Sequence, residues 1–478
     1  MPIPSTHGAA RRYGHVVVIG ASIAGLLAAR VLSEHFERIT LLERDVPSEE
    51  AGYRKGVPQA RHPHALLVRG QRELEGLFPG LTAELRALGA EEANLGMAVR
   101  YFLYSGERIP YESIYTMLCV SRPLLEHRVR QRVLALPNVV LRTQSQVLDL
   151  VADGGAVSGV RLRQAGDHQP GEASVLEADL VLDASGRGSR APEWLETLGY
   201  QPPAESVVDA GAGYTSRIYR RPPGAPRDVK LIMLQPQAPH GTRGAIMTTL
   251  EGDRWHLTLV GMAGDHAPTD EAGFQAYIRS LPCGLFGQLL RDAEPLTPIV
   301  GFHHAENRER RYGELPRFLE GFVVMGDAVM ALNPIYGQGM SVAAVSAVTL
   351  AQCLDEQDGG TLTGLAGRFQ ARLAEATAGA WHAAAGEDQR WIDLREGRAP
   401  DPATALMQRY MGQLVQATLT VPAVSDAFYG VIQMVTPPSE LFRPDVVLQV
   451  MSTLPAAESP VPFPIAQAES VVVPVAAD

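Results

Sequence analysis

Two clusters of small residues, one opening at position 20 and one closing at position 340, carry the chemistry this chain can offer. The first, Gly20-Ala21-Ser22-Ile23-Ala24-Gly25, follows the β-branched run at 16–19. Glycines at its ends let the chain turn tightly, let a pyrophosphate approach the backbone, and let the following helix pack closely on a sheet. Phosphates in that position sit at the positive end of the helix. Serine stands where the usual fingerprint has its middle glycine. Glu43, with Arg44 beside it, ends the next apolar run. A carboxylate there can accept both hydroxyls of a ribose and disfavours a 2′-phosphate. These residues read as a dinucleotide site and on their own do not separate FAD from NAD.

The second cluster is residues 325–340, MGDAVMALNPIYGQGM. Gly326-Asp327 closes a short apolar strand, where the Asp327 carboxylate can accept hydrogen bonds from ribityl hydroxyls. Pro334 stiffens the turn that follows. Gly337-Gln338-Gly339-Met340 opens an Ala/Val-rich helix, so its backbone N–H groups can face the N1/C2=O edge of an isoalloxazine ring. A reduced flavin is negatively charged at that edge, and a helix N-terminus stabilises it. A nicotinamide cofactor would not require such a cradle, so the two clusters read as halves of one FAD site. Between them, Asp183-Ala184-Ser185-Gly186-Arg187-Gly188 ends another buried strand. Asp183 and Gly186 are expected to line the passage of the dinucleotide.

A third group lies in the polar segment 45–64, which is long for a simple connection and reads as a functional loop. Arg54, Lys55, Arg61, His62 and His64 fall within eleven positions. Arg54, His62 and His64 are the candidate catalytic side chains, beside the ring and at the mouth of the site. Tyr214, Ile218, Met247 and Trp255, on alternating segments further along, are candidate substrate contacts, although alternation makes such residues core first.

The elements that position these groups follow from the patterning. Residues 14–43 read as strand, helix and parallel strand. Residues 121–136 read as a helix capped by Ser121, with Pro123 in its first turn. A hairpin turns at Gly154-Gly155, and alternation between about 205 and 300 predicts an antiparallel sheet. The fold expected is α/β. A discontinuous Rossmann-like FAD-binding domain takes residues 14–95, 119–200 and 301–358. An inserted antiparallel-sheet substrate domain takes 96–118 and 201–300. A C-terminal helical region runs over 359–453, and a tail over 454–478.

The bulk properties exclude several classes. The chain has 478 residues and a net charge of −11, which argues against nucleic acid or an anionic membrane as main partner. Cys119, Cys283 and Cys353 are widely separated and form neither a metal-binding spacing nor a disulfide framework. No apolar run reaches the roughly 20 residues of a membrane span, and the N-terminal arm has no signal-peptide core. A cytoplasmic location, no metal and no membrane span are expected. No motif speaks to oligomeric state.

In this order, GASIAG with Glu43, Ser121-Arg122-Pro123-Leu124-Leu125, DASGRGSR and GDAVMALNPIYGQGM resemble the single-component FAD-dependent monooxygenases of the para-hydroxybenzoate-hydroxylase-like group, over about residues 14–350. Within that group, RKGVPQARHPHALL at 54–67 and NPIYGQGMS are similar to the FAD epoxidases of polyether ionophore biosynthesis and related polyketide-tailoring enzymes. The resemblance implies that Arg122 reaches the FAD, that Val147 gives a backbone contact to adenine, and that Asp327 binds the ribityl chain. It implies flavin reduction, capture of O2 as a C4a-hydroperoxide, and transfer of one oxygen to a small hydrophobic substrate. An alkene of a polyketide or terpenoid-like intermediate is the expected acceptor. NAD(P)H is the implied transient reductant, with a separate flavin reductase as the alternative source of electrons. The group's Asp-Gly motif reads Ser185-Gly186 here, which bears on the mode of reduction. An aromatic hydroxylase and a reductase of the geranylgeranyl type share these motifs. A flavin halogenase shares the fold, but its paired-tryptophan signature is absent, since Trp194, Trp255, Trp381 and Trp391 stand apart.

Overall fold

In a computed structural model, residues 13–453 are described, apart from 55, 165–172, 304 and 358–359. The segment placed as a tail, 454–478, lies outside the described residues.

The β-branched runs form a five-stranded parallel sheet. Its strand order is Phe322–Val324, Leu180–Asp183, Tyr13–Ile19, Phe36–Leu42 and Val139–Arg142. Val16, Val17, Val18, Leu180, Val181 and Leu182 are buried on both faces, as strands covered by helices on both sides must be. The helices Ile23–Leu32 and Gly339–Asp355 pack against each other and share one core with this sheet. Their apolar faces are Ala-, Leu- and Val-rich. The two glycine clusters thus start neighbouring helices at the carboxyl ends of two parallel strands separated by Leu180–Asp183, where open α/β sheets bind ligands.

The hairpin turns at Gly154-Gly155 between the strands Ser145–Asp153 and Ala156–Gln164. A second sheet of seven strands is built mainly from Gly213–Arg220, Arg254–Gly261, Arg243–Leu250 and Leu231–Leu234. Val99–Leu103 joins it in parallel with Leu231–Leu234, and Val300–Phe302 extends its other edge. One face of this sheet is covered by the helices Glu271–Ser280 and Leu285–Leu290 through Phe274, Tyr277 and Phe286. The other face looks toward the loop at 54–64 and the turn at 333–337. The described residues end in the helices Leu365–Glu396, Pro402–Ala417, Pro422–Ile432 and Pro444–Ser452. The α/β architecture with an antiparallel sheet and C-terminal helices agrees with the expectation. Among the described residues no helix is long and apolar enough to cross a membrane.

Candidate active site

The first turn explains its glycines by distance. Gly20 has φ +96°, and a Cβ on Gly25 would lie 1.8 Å from the Gly20 carbonyl oxygen. Only glycine lets the helix start so close to the strand. Ile23 and Ala24 then begin that helix. Gly326, at φ +63°, would place a Cβ 2.8 Å from the Ala24 methyl. The two clusters, remote in sequence, touch.

Around the first turn lies a closed network of charges. Glu43 accepts the N–H groups of Ala21 and Asp45, each at 3.1 Å, and a 2.7 Å hydrogen bond from Arg54. Arg54 also reaches the Glu126 carboxylate at 2.9 Å. Glu126 accepts from Arg122 and from the Ser22 hydroxyl, both at 3.0 Å, and Arg122 donates to Ser22 at 2.9 Å. Arg122 and Arg54 hold the Glu126 carboxyl below its ordinary value against the opposing effect of burial. Ser22, where the fingerprint has glycine, is a working member of this network. Arg54, expected beside the ring, is thus tied to Glu43, Glu126 and the Ala21 carbonyl beside the first turn. It folds back onto Glu43 because that carboxylate needs a cationic partner.

Several other expected cofactor residues divide by geometry. Asp183 is fully buried, and its oxygens accept the Ser185 N–H at 2.8 Å and the Ser189 hydroxyl at 2.5 Å. The carboxylate is consumed in shaping its own turn, which corrects its placement as a direct contact. Gly186 closes that turn at φ +86°. Val147 sits at a bulge in the strand Ser145–Asp153, beside the end of the strand that carries Glu43. Arg44 is exposed next to it.

At the other end, Asp327 has no hydrogen-bonding partner within the protein among the described residues, while burial raises its carboxyl pKa and Arg187 and Arg122 oppose that rise. Its Oδ1 lies 3.8 Å from the point where a Gly339 Cβ would stand. The helix Gly339–Asp355 begins beneath it with no side-chain cap on its free N–H groups. The side-chain oxygens of Gln338 and Ser341 are buried without a protein partner, and Met340 is buried beside them. Gly337 turns the chain at φ +65°, with Ala65 packed 2.9 Å from its missing Cβ. An unpaired carboxylate for ribityl hydroxyls and uncapped N–H groups for a ring edge fit the flavin half of FAD, while the first turn fits its pyrophosphate.

The loop that starts at Arg54 thus ends at the ring side. His62 shares a hydrogen bond of 2.7 Å with the Ser216 hydroxyl, which is in turn bonded to Thr258. Burial first, then His303, pushes the His62 imidazole down to about 4. His64 bonds the His62 carbonyl at 2.9 Å, and burial, then Arg122, lowers it to about 3. His62 and His64 face a cleft lined also by Tyr214, Ile246, Phe302 and Ile335. Of the four expected substrate contacts, only Tyr214 lines it. Met247 and Trp255 point the other way, into the core under Phe274 and Tyr277. Ile218 is buried on the same face as Tyr214, but beyond the cleft. Ser216, Thr258 and His256 went unread. Their signal was the phase of two: Ser216 shares a face with Tyr214, and the sheet register sets it opposite Thr258.

Comparison with known proteins settles the class of this groove. The family model described as FAD binding domain matches residues 13–367. The chain belongs to the FAD binding domain family. FAD is accordingly its cofactor, and the chain falls among the FAD-dependent monooxygenases of that family. It is 34% identical over 434 residues to Protein Rv3254 of Mycobacterium tuberculosis, covering 87% of this chain and 88% of that one. It is 27% identical over 382 residues to kynurenine 3-monooxygenase of Salinispora arenicola, covering 72% and 73%. In architecture it is similar to the flavin-dependent brominase Bmp2, with a TM-score of 0.62 at 15% identity over 91% of this chain and 97% of that one.

Proposed function

We propose that this FAD-dependent monooxygenase inserts one atom of O2 into an alkene of a hydrophobic, polyketide- or terpenoid-like molecule, forming an epoxide. The observation that carries the reading is the lining of the cleft beside the ring-edge turn. Tyr214, Ile246, Val260, Phe302, Pro334 and Ile335 wall it, and among the described residues no acidic or cationic side chain lines it. His62 and His64 are neutral at pH 7, since burial holds them to about 4 and about 3. An amino acid such as the kynurenine in the relatives' names carries a carboxylate and an ammonium group, and the cleft offers neither a partner. An uncharged, apolar molecule fits it.

Bound FAD supplies the oxygen-activating chemistry. The protein's residues bind, orient and exclude water. Asp327 and the first turn hold the two ends of the cofactor, and the N-terminus of the helix Gly339–Asp355 stabilises negative charge at the ring edge. The Tyr214 hydroxyl donates to Asn333 and accepts the Ile335 N–H at 2.9 Å. It is therefore engaged in holding the turn and leaves its ring as an apolar wall. Attack of an electrophilic oxygen on a π bond requires no protein base, in accord with so neutral a cleft. A second reading, hydroxylation of a phenol, is favoured by the neutral imidazole of His62 on the cleft wall. It can accept a proton while Ser216 and Thr258 hold its ring.

Electrons come from NAD(P)H bound transiently or from a partner reductase. The test is product mass with an apolar polyene and, in parallel, an apolar phenol as substrates, alongside O2 uptake and NAD(P)H oxidation. One added oxygen without loss of hydrogen is expected, as an oxirane by NMR. A phenolic product selects the second reading, and a gain of two hydrogens, as from a reductase, defeats both.

A further inference from the structure

The C-terminal helix Leu365–Glu396 has no recognisable motif, yet it sends one carboxylate under the flavin-edge turn. Asp388 is 0% exposed, as are Asn307 and Asn333. The Tyr336 hydroxyl donates to its Oδ1 at 2.6 Å. The Oδ2 accepts the side-chain amides of Asn307 at 2.6 Å and Asn333 at 2.9 Å. Asn307 returns a bond by accepting the Asn333 backbone N–H at 2.7 Å. On the far side, the Asn333 Oδ1 accepts from the Tyr214 hydroxyl, which accepts the Ile335 N–H at 2.9 Å. Residues 333, 335 and 336 are thus all tied to one acceptor, directly or at one remove, just before Gly337 swings the chain into the helix.

We propose that Asp388 is the positioning residue of the flavin-edge turn, and that its negative charge holds Asn333 and Tyr336 so that residues 337–340 present their N–H groups to the ring. The proposal rests on the reading that this turn faces the flavin, not on the identity of the substrate. A carboxylate is acceptor-only, so three donors converging on it suit the ionised form. A neutral acid carries its own O–H and must turn one donor away. Burial raises the Asp388 carboxyl to about 6, with Tyr336, Asn333 and Asn307 opposing and Asp209 adding to the rise. Facing it are also Tyr214, whose hydroxyl burial holds well above its ordinary value, and Glu387, whose carboxyl burial likewise raises. Tyr336 is held well above its ordinary value by burial and by Asp388. Of these, Asp388 and Glu387 bear on a transition in mild acid, while Asp209 acts on Asp388 as a neighbouring charge.

The experiment uses FAD-loaded protein and requires no turnover. The redox potential of the bound flavin and its absorbance between pH 5 and 8 are measured in the parent and in the Asp388→Asn, Tyr336→Phe, Glu387→Gln and Asp209→Asn proteins. The parent is expected to show a spectral step near pH 6. Asp388→Asn should abolish it and lower the affinity for reduced relative to oxidised flavin about tenfold, as helix N–H groups lose the ring edge. FAD retention should change little, since Asp327 and the first turn are left intact. Tyr336→Phe removes one donor and should move the step upward, which keeps the test open if Asp388→Asn fails to fold. Glu387→Gln and Asp209→Asn should keep a step. A parent potential and step preserved in Asp388→Asn, or a step unmoved in Tyr336→Phe, would overturn the proposal. An unreactive polyene with these shifts intact would instead count against epoxidation alone.

Discussion

The two ends of the cofactor groove are built on different principles. The pyrophosphate end is ionic and compact: Glu43, Arg54, Arg122 and Glu126 pair within 3.0 Å around one turn. The cleft beside the ring end has a neutral wall assembled from distant segments: His62, Tyr214, Ser216, Phe302 and the turn at 333–337. An anion of fixed shape suits fixed charges, whereas a cleft that must admit an apolar molecule cannot keep unpaired charge at its wall. On this reading, charged groups along the groove serve affinity for FAD, and the neutral cleft serves selectivity for what is oxidised.

That division can be broken most visibly at Glu126. Glu126→Ala leaves two buried guanidinium groups short of a partner, which costs about 3–5 kcal/mol. Urea unfolding of the apo protein should show this loss, and added FAD should recover part of it by placing pyrophosphate beside the stranded arginines. A midpoint unchanged in both forms would mean that the ionic network is ornamental. At the ring end, Asp327→Ala removes the acceptor of ribityl hydroxyls. Loss of charge-assisted bonds of about 1.5–3 kcal/mol corresponds to roughly ten- to hundredfold weaker FAD binding. The apo protein should melt no lower, since Asp327 makes no internal hydrogen bond. Unchanged FAD content would sink the role given to this carboxylate.

A further effect is a slope with pH. His62, His64 and His256 are lowered by burial to about 4, about 3 and about 3 from an ordinary 6.5. Below pH 6.5 the unfolded chain takes up protons that the folded protein refuses, so stability falls as pH drops from 6.5 toward 4. It falls by about 1.4 kcal/mol per pH unit for each such histidine. His256→Asn should remove one share of this slope and leave stability at pH 8 within about 1 kcal/mol if its bond to the Arg61 carbonyl is replaced. An identical acid slope in the variant would place the proton uptake elsewhere.

What could be read from the sequence follows the same division. Gly20, Gly25, Gly326 and Gly337 were legible because backbone geometry forbids other residues there. Glu43 and Asp327 were legible because each ends a strand at a fixed distance from such a glycine. Arg54 was misplaced because its partners, Glu43 and Glu126, are chosen by a chain reversal that spacing does not encode. Met247 and Trp255 failed on phase: in an antiparallel sheet with both faces buried, apolar character alone cannot tell the cleft from the core under Phe274. Asp388 was out of reach altogether. It lies 55 positions from Asn333 and 81 from Asn307, in a helix whose neighbouring residues give no hint of a buried acceptor.

The serine at position 22 has a consequence for how such a chain can evolve. Its hydroxyl donates to Glu126 and accepts from Arg122, so exchanging it for the glycine of the usual fingerprint would strip both neighbours at once. Ser22, Arg122 and Glu126 are tied to one another by hydrogen bonds, so a Ser22→Gly exchange is expected to lower stability unless positions 122 and 126 change with it.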